Sequence, residues 1–175
     1  MHCRWVTLES MAIIFETSNF IITSAEKPHV YIDRDEGGHI NLKFKREVRA
    51  VHDRTQLSAL EAIEYIKLSM IAGEALKNAM HHRGVNVGLV NYQDMGNWSV
   101  FKPEGPQLHT QIYGRAATAT IQKYGDAVQL PHIETGFYDS FQPLTKDDVE
   151  EIRLEIEKIM QRDKYNTDWS ESQLR

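Results

Sequence analysis

Between Thr55 and His82 the apolar residues Leu57, Leu60, Ile63, Ile66, Met70, Ile71 and Leu76 recur close to every 3.6 residues. That spacing defines one long amphipathic helix, which needs a surface to pack on. Thr55 suits its N-cap, and Gly84, following His81-His82-Arg83, suits its stop. Ahead of it, Ala12 to Glu16 and Asn19 to Ser24 read as Ile- and Phe-rich strands joined at Thr17-Ser18, and His29 to Asp33 reads as a third. Asp35-Glu36-Gly37-Gly38 reads as a turn. From His39 to Lys45 the pattern alternates, with Ile40, Leu42 and Phe44 on one face and His39, Asn41, Lys43 and Lys45 on the other. Beyond the helix, Val85 to Asn91, Trp98 to Phe101 and Leu108 to Tyr113 suit strands. Lys102 to Pro106 must turn, because its two prolines leave no regular ladder. Ala116 to Tyr124 fits no single element. A second amphipathic helix runs from Lys146 to Arg162, opened by a capping box of Thr145 and Asp148. Strands grouped apart from helices predict an α+β fold with a mostly antiparallel sheet.

The 175 residues suit one domain, expected over 12–163, with an N-terminal extension over 1–11 and a polar tail over 164–175. Met11 is a second possible start. A formal net charge of −5 gives no global attraction to nucleic acid polymers or anionic membranes, so any phosphate binding must be local. The single cysteine, Cys3, excludes an intrachain disulfide framework and a multi-cysteine zinc site. No signal peptide or membrane span is read, so a cytoplasmic protein is expected. Neither a metal nor another cofactor is expected, since His2, His29, His52 and His132 form no ligand spacing.

The stretch Gly105-Pro106-Gln107-Leu108-His109-Thr110-Gln111-Ile112-Tyr113-Gly114-Arg115 carries the chemistry. On a strand, Gln107, His109 and Gln111 share one face. An imidazole can attack phosphorus, and flanking amides can stabilise phosphoryl charge. The alternative is an edge strand with a polar, solvated face.

Gln107-x-His109-x-Gln111-Ile112-Tyr113-Gly114-Arg115 resembles the frame of the histidine triad superfamily, His-x-His-x-His followed by two apolar residues and a Pro-Arg or Gly-Arg pair. Gly38-His39-Ile40-Asn41-Leu42-Lys43-Phe44-Lys45 is similar to the upstream strand that carries the family's additional histidine. Asn86-Val87-Gly88-Leu89-Val90-Asn91 is similar to its Asn-x-Gly strand. The resemblance spans Ile13 to Arg115. Glutamine at the third triad position resembles the transferase and phosphorylase branches, whereas Gln107 at the first departs from the family pattern.

The resemblance implies that His109 attacks the α-phosphorus of a nucleoside phosphate or dinucleoside polyphosphate, giving a nucleotidyl-histidine. Gln111 and Gln107 would contact phosphate oxygens or the imidazole. His39 would set the triad's hydrogen bonding, Asn91 would line the phosphate site and Asp33 would bind ribose. Gly105 would let the backbone approach a phosphate or simply form a turn, and Arg115 would bind phosphate or make a structural ion pair, the latter being favoured. It also implies a nucleotide ligand and a homodimer through the long helix, with Ile63, Ile66 and Met70 at the contact or in an intrachain core. The loop around Trp98 would cover a base or a subunit contact. A nucleotide-binding protein without turnover, or a partner-binding protein on the same fold, are the alternatives.

Overall fold

The computed structural model describes residues 12–94 and 99–167. Its centre is a five-stranded antiparallel sheet ordered β1-β2-β3-β5-β4. The strands are β1 (Ile13–Glu16), β2 (Phe20–Ser24), β3 (His39–Phe44), β4 (Val87–Asp94) and β5 (His109–Ala116). The helices are α1 (Ala59–His82), α2 (Lys146–Met160) and α3 (Asp163–Asn166). The fold is α+β, as the order of elements predicts.

The alternation in β3 sorts the two faces. Ile40, Leu42 and Phe44 are buried with Phe20, Ile22 and Ile112 beneath Leu68, Ile71, Leu76 and Met80 of α1 and Ile152, Ile156 and Ile159 of α2. Each such side chain contributes about 1.5–3 kcal/mol on burial. Tyr165 of α3 is buried in this same cluster, so packed structure continues past residue 163 into the segment expected to be a polar tail. Residues 1–11, 95–98 and 168–175 lie outside the described residues, so the expectation for Trp98 has no structural counterpart here.

Caps fix the ends of both long helices. Ser58, not Thr55, opens α1, in a capping box with Glu61; Thr55 sits in a short 3-10 turn capped by Asp53. Ser58 is the better start because its partner Glu61 returns a bond to its backbone N–H. The Thr145–Asp148 box at α2 forms as expected.

Two segments expected as strands pair with nothing. His29 to Asp33 runs as an irregular chain across the polar face of the sheet. β3 is already flanked by β2 and β5 and offers no edge, so Val30, Tyr31 and Ile32 instead bury in a second core with Tyr113, Tyr138 and Phe141. Ser99 to Phe101 forms turns, with Phe101 fully exposed.

Ala116 to Tyr124 is shaped by two buried charges. The Glu36 carboxylate accepts the backbone N–H groups of Thr120, Ile121 and Gln122 at 2.7–2.8 Å. Burial pushes that carboxyl up, but those bonds more than offset it and hold it below its ordinary value. The Arg115 guanidinium donates to the carbonyls of Gln122, Lys123 and Asp126 and to Asn91 Oδ1. Arg115 therefore anchors a loop through carbonyls rather than through an ion pair. Next to it, Gly37 and Gly114 bring two backbones together, and a Cβ on Gly114 would lie 2.1 Å from the Gly37 carbonyl oxygen. Only glycine fits that crossing.

Candidate functional site

The register between β3 and β5 lays out the polar face row by row: Lys43 opposite His109, Asn41 opposite Gln111, and His39 opposite Tyr113. β4 extends the rows, with Gln93 beside Gln111 and Asn91 beside Tyr113. Side chains of such pairs stand on the same face with Cβ atoms about 4.5–5.5 Å apart. His109 is half-buried at the open end of this floor, while Gln111, Asn41 and His39 are buried along it.

His109 is held by one bond. Its Nδ1 lies 2.8 Å from the backbone carbonyl oxygen of Gln107. A carbonyl can only accept, so Nδ1 carries a proton, and in the neutral tautomer that this bond selects the lone pair sits on Nε2. The other side of the strand is locked from beneath. Thr110 Oγ1 donates to Asp94 Oδ1 at 2.5 Å and is bonded to the Tyr65 hydroxyl of α1, while Arg54 pairs with Asp94. The start of β5 is thereby fixed to α1 directly behind the imidazole.

His39 and Gln111 form a second, deeper unit. His39 Nδ1 faces the backbone N–H of Tyr31 at 3.3 Å and so accepts; its Nε2–H then donates to Gln111 Oε1 at 2.5 Å. This fixes the glutamine's orientation, with its oxygen turned to His39 and its NH₂ as the donor end of the amide. Tyr31 stacks on the His39 ring with centroids 5.4 Å apart. Burial pushes His39 down to about 3, more than its bonds to Gln111 and Asn41 raise it, so it is neutral at physiological pH.

The sign of the resulting pH dependence follows. Between about pH 6.5 and 3 the unfolded chain binds a proton at His39 that the folded chain does not, so stability falls as pH drops through that window. Urea unfolding midpoints of the wild type and His39→Gln, compared from pH 7 to 4, should converge or cross on acidification. The maximal slope attributable to this one group is about 1.4 kcal/mol per pH unit. Parallel profiles would show that His39 is not buried in its neutral form.

The remaining predicted site residues fall in different places. Gln107 precedes β5, because the turn containing Pro106 delays regular pairing. Its carboxamide donates to the Phe44 carbonyl and accepts from Arg46 Nε at 2.6 Å. Gln107 thus holds His109 through its backbone carbonyl, not through its side chain. Gly105 has φ +65° and closes the turn from Lys102; its carbonyl and that of Glu104 are bound by Arg46. Asn91 lies on the polar face, but its oxygen accepts from Arg115. Asp33 is not brought to this cluster. It caps a 3-10 turn at the Gly114 end of β5, and its two oxygens accept from the backbone N–H groups of Asp35 and Gln142. Sequence reasoning singled out neither Lys43 nor Gln93 nor Tyr31. Alternation places Lys43 on the His39 face, yet which residue it meets on β5 depends on register, which no residue pattern within β3 specifies.

Among the described residues, His82, Glu151 and Glu155 bring ligand-type atoms within 4.8 Å of one another. They lie on α1 and α2, across the sheet from His109. His82 Nδ1 is bonded to Glu151, and Glu155 to Lys158 and Asn78, so the group is described fully as ion pairs and hydrogen bonds. No helix among the described residues is long and apolar enough to cross a membrane.

A single long helix and a C-terminal helix on one face of a five-stranded antiparallel sheet ordered β1-β2-β3-β5-β4 define a histidine triad-like fold. Solved structures bear this out. The chain is similar to a HIT-like protein involved in cell-cycle regulation from Bartonella henselae, with 12% identity, a TM-score of 0.52, and 83% of this chain and 87% of that one covered. It is also similar to a hypothetical histidine triad nucleotide-binding protein from Sulfolobus tokodaii strain 7, with 15% identity, a TM-score of 0.55, and 92% and 93% covered. No protein-family model and no curated protein matches the sequence.

Proposed function

We propose that the chain is a nucleotide phosphohydrolase or nucleotidyltransferase that acts at the α-phosphate of a nucleoside polyphosphate or dinucleoside polyphosphate. The observation that carries this reading is the tautomer of His109: Nδ1–H is tied to the Gln107 carbonyl, which leaves Nε2 as the nucleophile at the open end of a polar floor. In the first step the Nε2–P bond forms and the bond from phosphorus to the bridging oxygen breaks, its electron pair leaving with that oxygen. In the second step the oxygen of water, or of another hydroxyl acceptor, bonds to phosphorus as the Nε2–P bond breaks; the electron pair of that bond returns to Nε2, which takes up the acceptor's proton and passes it to solvent. The Gln111 NH₂, held in place through His39, is a donor for a phosphoryl oxygen.

A nucleotide-binding protein without turnover is the second reading, favoured by the two glutamines, neither of which can move a proton. Incubation with diadenosine tetraphosphate, adenosine phosphoramidate and a nucleotide sugar separates the two. Release of mononucleotide supports the enzyme; saturable nucleotide binding with no product from any of the three supports the binding protein.

A cytoplasmic homodimer completes the reading. Leu60 is 80% exposed and Ile66 40% exposed on α1, outside the chain's own core. Two copies joined along this helix would cover them. Sedimentation at micromolar concentration should give a dimer, and Ile66→Glu should shift it to monomer; a wild-type monomer would remove the dimer from the account.

A further inference from the structure

The chemistry of a Gln-His-Gln site restricts what can leave. His109 uses Nε2 to attack and Nδ1 to hold the Gln107 carbonyl, and neither flanking amide can protonate a departing group. A leaving group that is stable as an anion, such as a phosphate, departs without that proton; an amine does not. The site must then accommodate the anion's charge.

The polar floor supplies a cation where that charge develops. Lys43 stands directly across the β3/β5 ladder from His109, on the same face and half-buried. Its neighbours on the same face of β3, Asn41 and His39, are buried polar groups. Burial, and then the charges of Lys102 and Lys43, hold His29 on the chain that crosses the sheet face below its ordinary value, so this neighbour is an uncharged imidazole and Lys43 is the cation that faces His109. Glu26 is the carboxylate whose charge reaches Lys43. Burial pulls the Lys43 ammonium below its ordinary value, which marks a partly dehydrated cation. Such a cation attracts phosphate more strongly than one in bulk water. A chain of net charge −5 that nevertheless sets Lys43 directly across the ladder from His109 is locally arranged for an anion there.

We propose that Lys43 is a specificity-determining residue of the His109 site, binding the departing phosphate so that substrates with a phosphate leaving group are preferred over those with an uncharged one. This rests on the reading of His109 as nucleophile. Diadenosine tetraphosphate and nucleoside triphosphates are therefore the substrate class, and adenosine phosphoramidate is the poor one. The ammonium acts by charge, so arginine should replace it and an isosteric apolar chain should not.

The test compares kcat/KM for diadenosine tetraphosphate and adenosine phosphoramidate in the wild type, Lys43→Met and Lys43→Arg, with thermal midpoints confirming that each variant folds. The wild type should prefer the tetraphosphate. Lys43→Met should lose about tenfold or more on it, equivalent to about 1.4 kcal/mol, while changing less than about threefold on the phosphoramidate, and Lys43→Arg should recover most of the loss. Equal losses on both substrates, no loss on the tetraphosphate, or a wild-type preference for the phosphoramidate would overturn the proposal. If the wild type turns over neither, the nucleophile reading fails separately, and calorimetric binding of ATP and AMP decides about Lys43. A preference for ATP that disappears in Lys43→Met upholds the cationic subsite, and a preference absent in the wild type or retained in the variant overturns it.

Discussion

His109→Ala should lower mononucleotide release by on the order of 10⁴-fold or more, since it removes the atom that forms the covalent bond. Its thermal midpoint should stay within a degree or two of the wild type (an effect of roughly 0.5 kcal/mol or less). His109 is half-buried and its side chain is held by one bond to a backbone carbonyl, so little packing is lost with the ring. This combination separates a nucleophile from a strand histidine that helps hold the sheet. Steady-state assays beside a melting curve check it. A variant that keeps a tenth of wild-type activity would mean that His109 is not the attacking group.

The largest effect on stability should come from the opposite side of the molecule. The Asp148 carboxylate is fully buried at the start of α2. It accepts from Arg34 Nε at 2.9 Å and Nη2 at 2.8 Å, from Arg83 Nε at 3.0 Å, and from the N–H and hydroxyl of Thr145 at 2.9 and 2.7 Å. Burial pushes this carboxyl up, but the bonds from Arg34, Thr145 and Arg83 outweigh it and hold it well below the usual carboxylate range. Asp148→Ala leaves two guanidinium groups facing a gap and removes the α2 capping box. The expected loss is about 3–5 kcal/mol, or roughly 6–20 °C in thermal midpoint for a domain of this size. Because the folded carboxyl titrates below the unfolded one, its contribution is present above about pH 4 and fades as pH falls through the folded value. Thermal melts at pH 7 and pH 3 measure this directly: the gap between wild type and variant should narrow at pH 3, and an equal gap at both would contradict it.

The parts of the fold that were legible in the sequence are those set by local pattern. The 3.6-residue period of α1, the alternation in β3 and the Thr145–Asp148 box depend only on neighbouring residues, and all three elements form, although α1 starts at Ala59 rather than near Thr55 and leaves Leu60 and Ile66 of its apolar stripe exposed. His29 to Asp33 has a strand-like composition because Val30, Tyr31 and Ile32 are buried, but burial here is against the second core rather than in a ladder. A residue pattern reports burial and cannot say which surface provides it. Likewise the shape of Ala116 to Tyr124 depends on Glu36, more than 80 positions away in the chain.

The candidate site divides along the same line. His109 and Gln111 share a face because they lie two apart on one strand, which spacing alone specifies. That His39 reaches Gln111, and that Lys43 stands beside His109, both follow from the β3/β5 register, a non-local property. Gln107 shows the reverse. Spacing puts its side chain beside His109, but Arg46 and the Phe44 carbonyl compete for the carboxamide and take it. Its backbone carbonyl remains for the imidazole, a role that any residue at that position could fill. A glutamine at that position is therefore compatible with an oriented imidazole at His109.

The central claim is that Nε2 of His109 becomes covalently bonded to the α-phosphorus. Rapid denaturant quenching, at neutral to alkaline pH where a P–N bond survives, of the protein with diadenosine tetraphosphate, followed by intact and peptide mass spectrometry, tests it most directly. The account predicts a nucleotidyl adduct on the peptide containing His109 that appears before steady state, decays as substrate is exhausted, and is absent from His109→Ala. Mononucleotide release with no adduct at any time point, at a rate that survives His109→Ala, would contradict it.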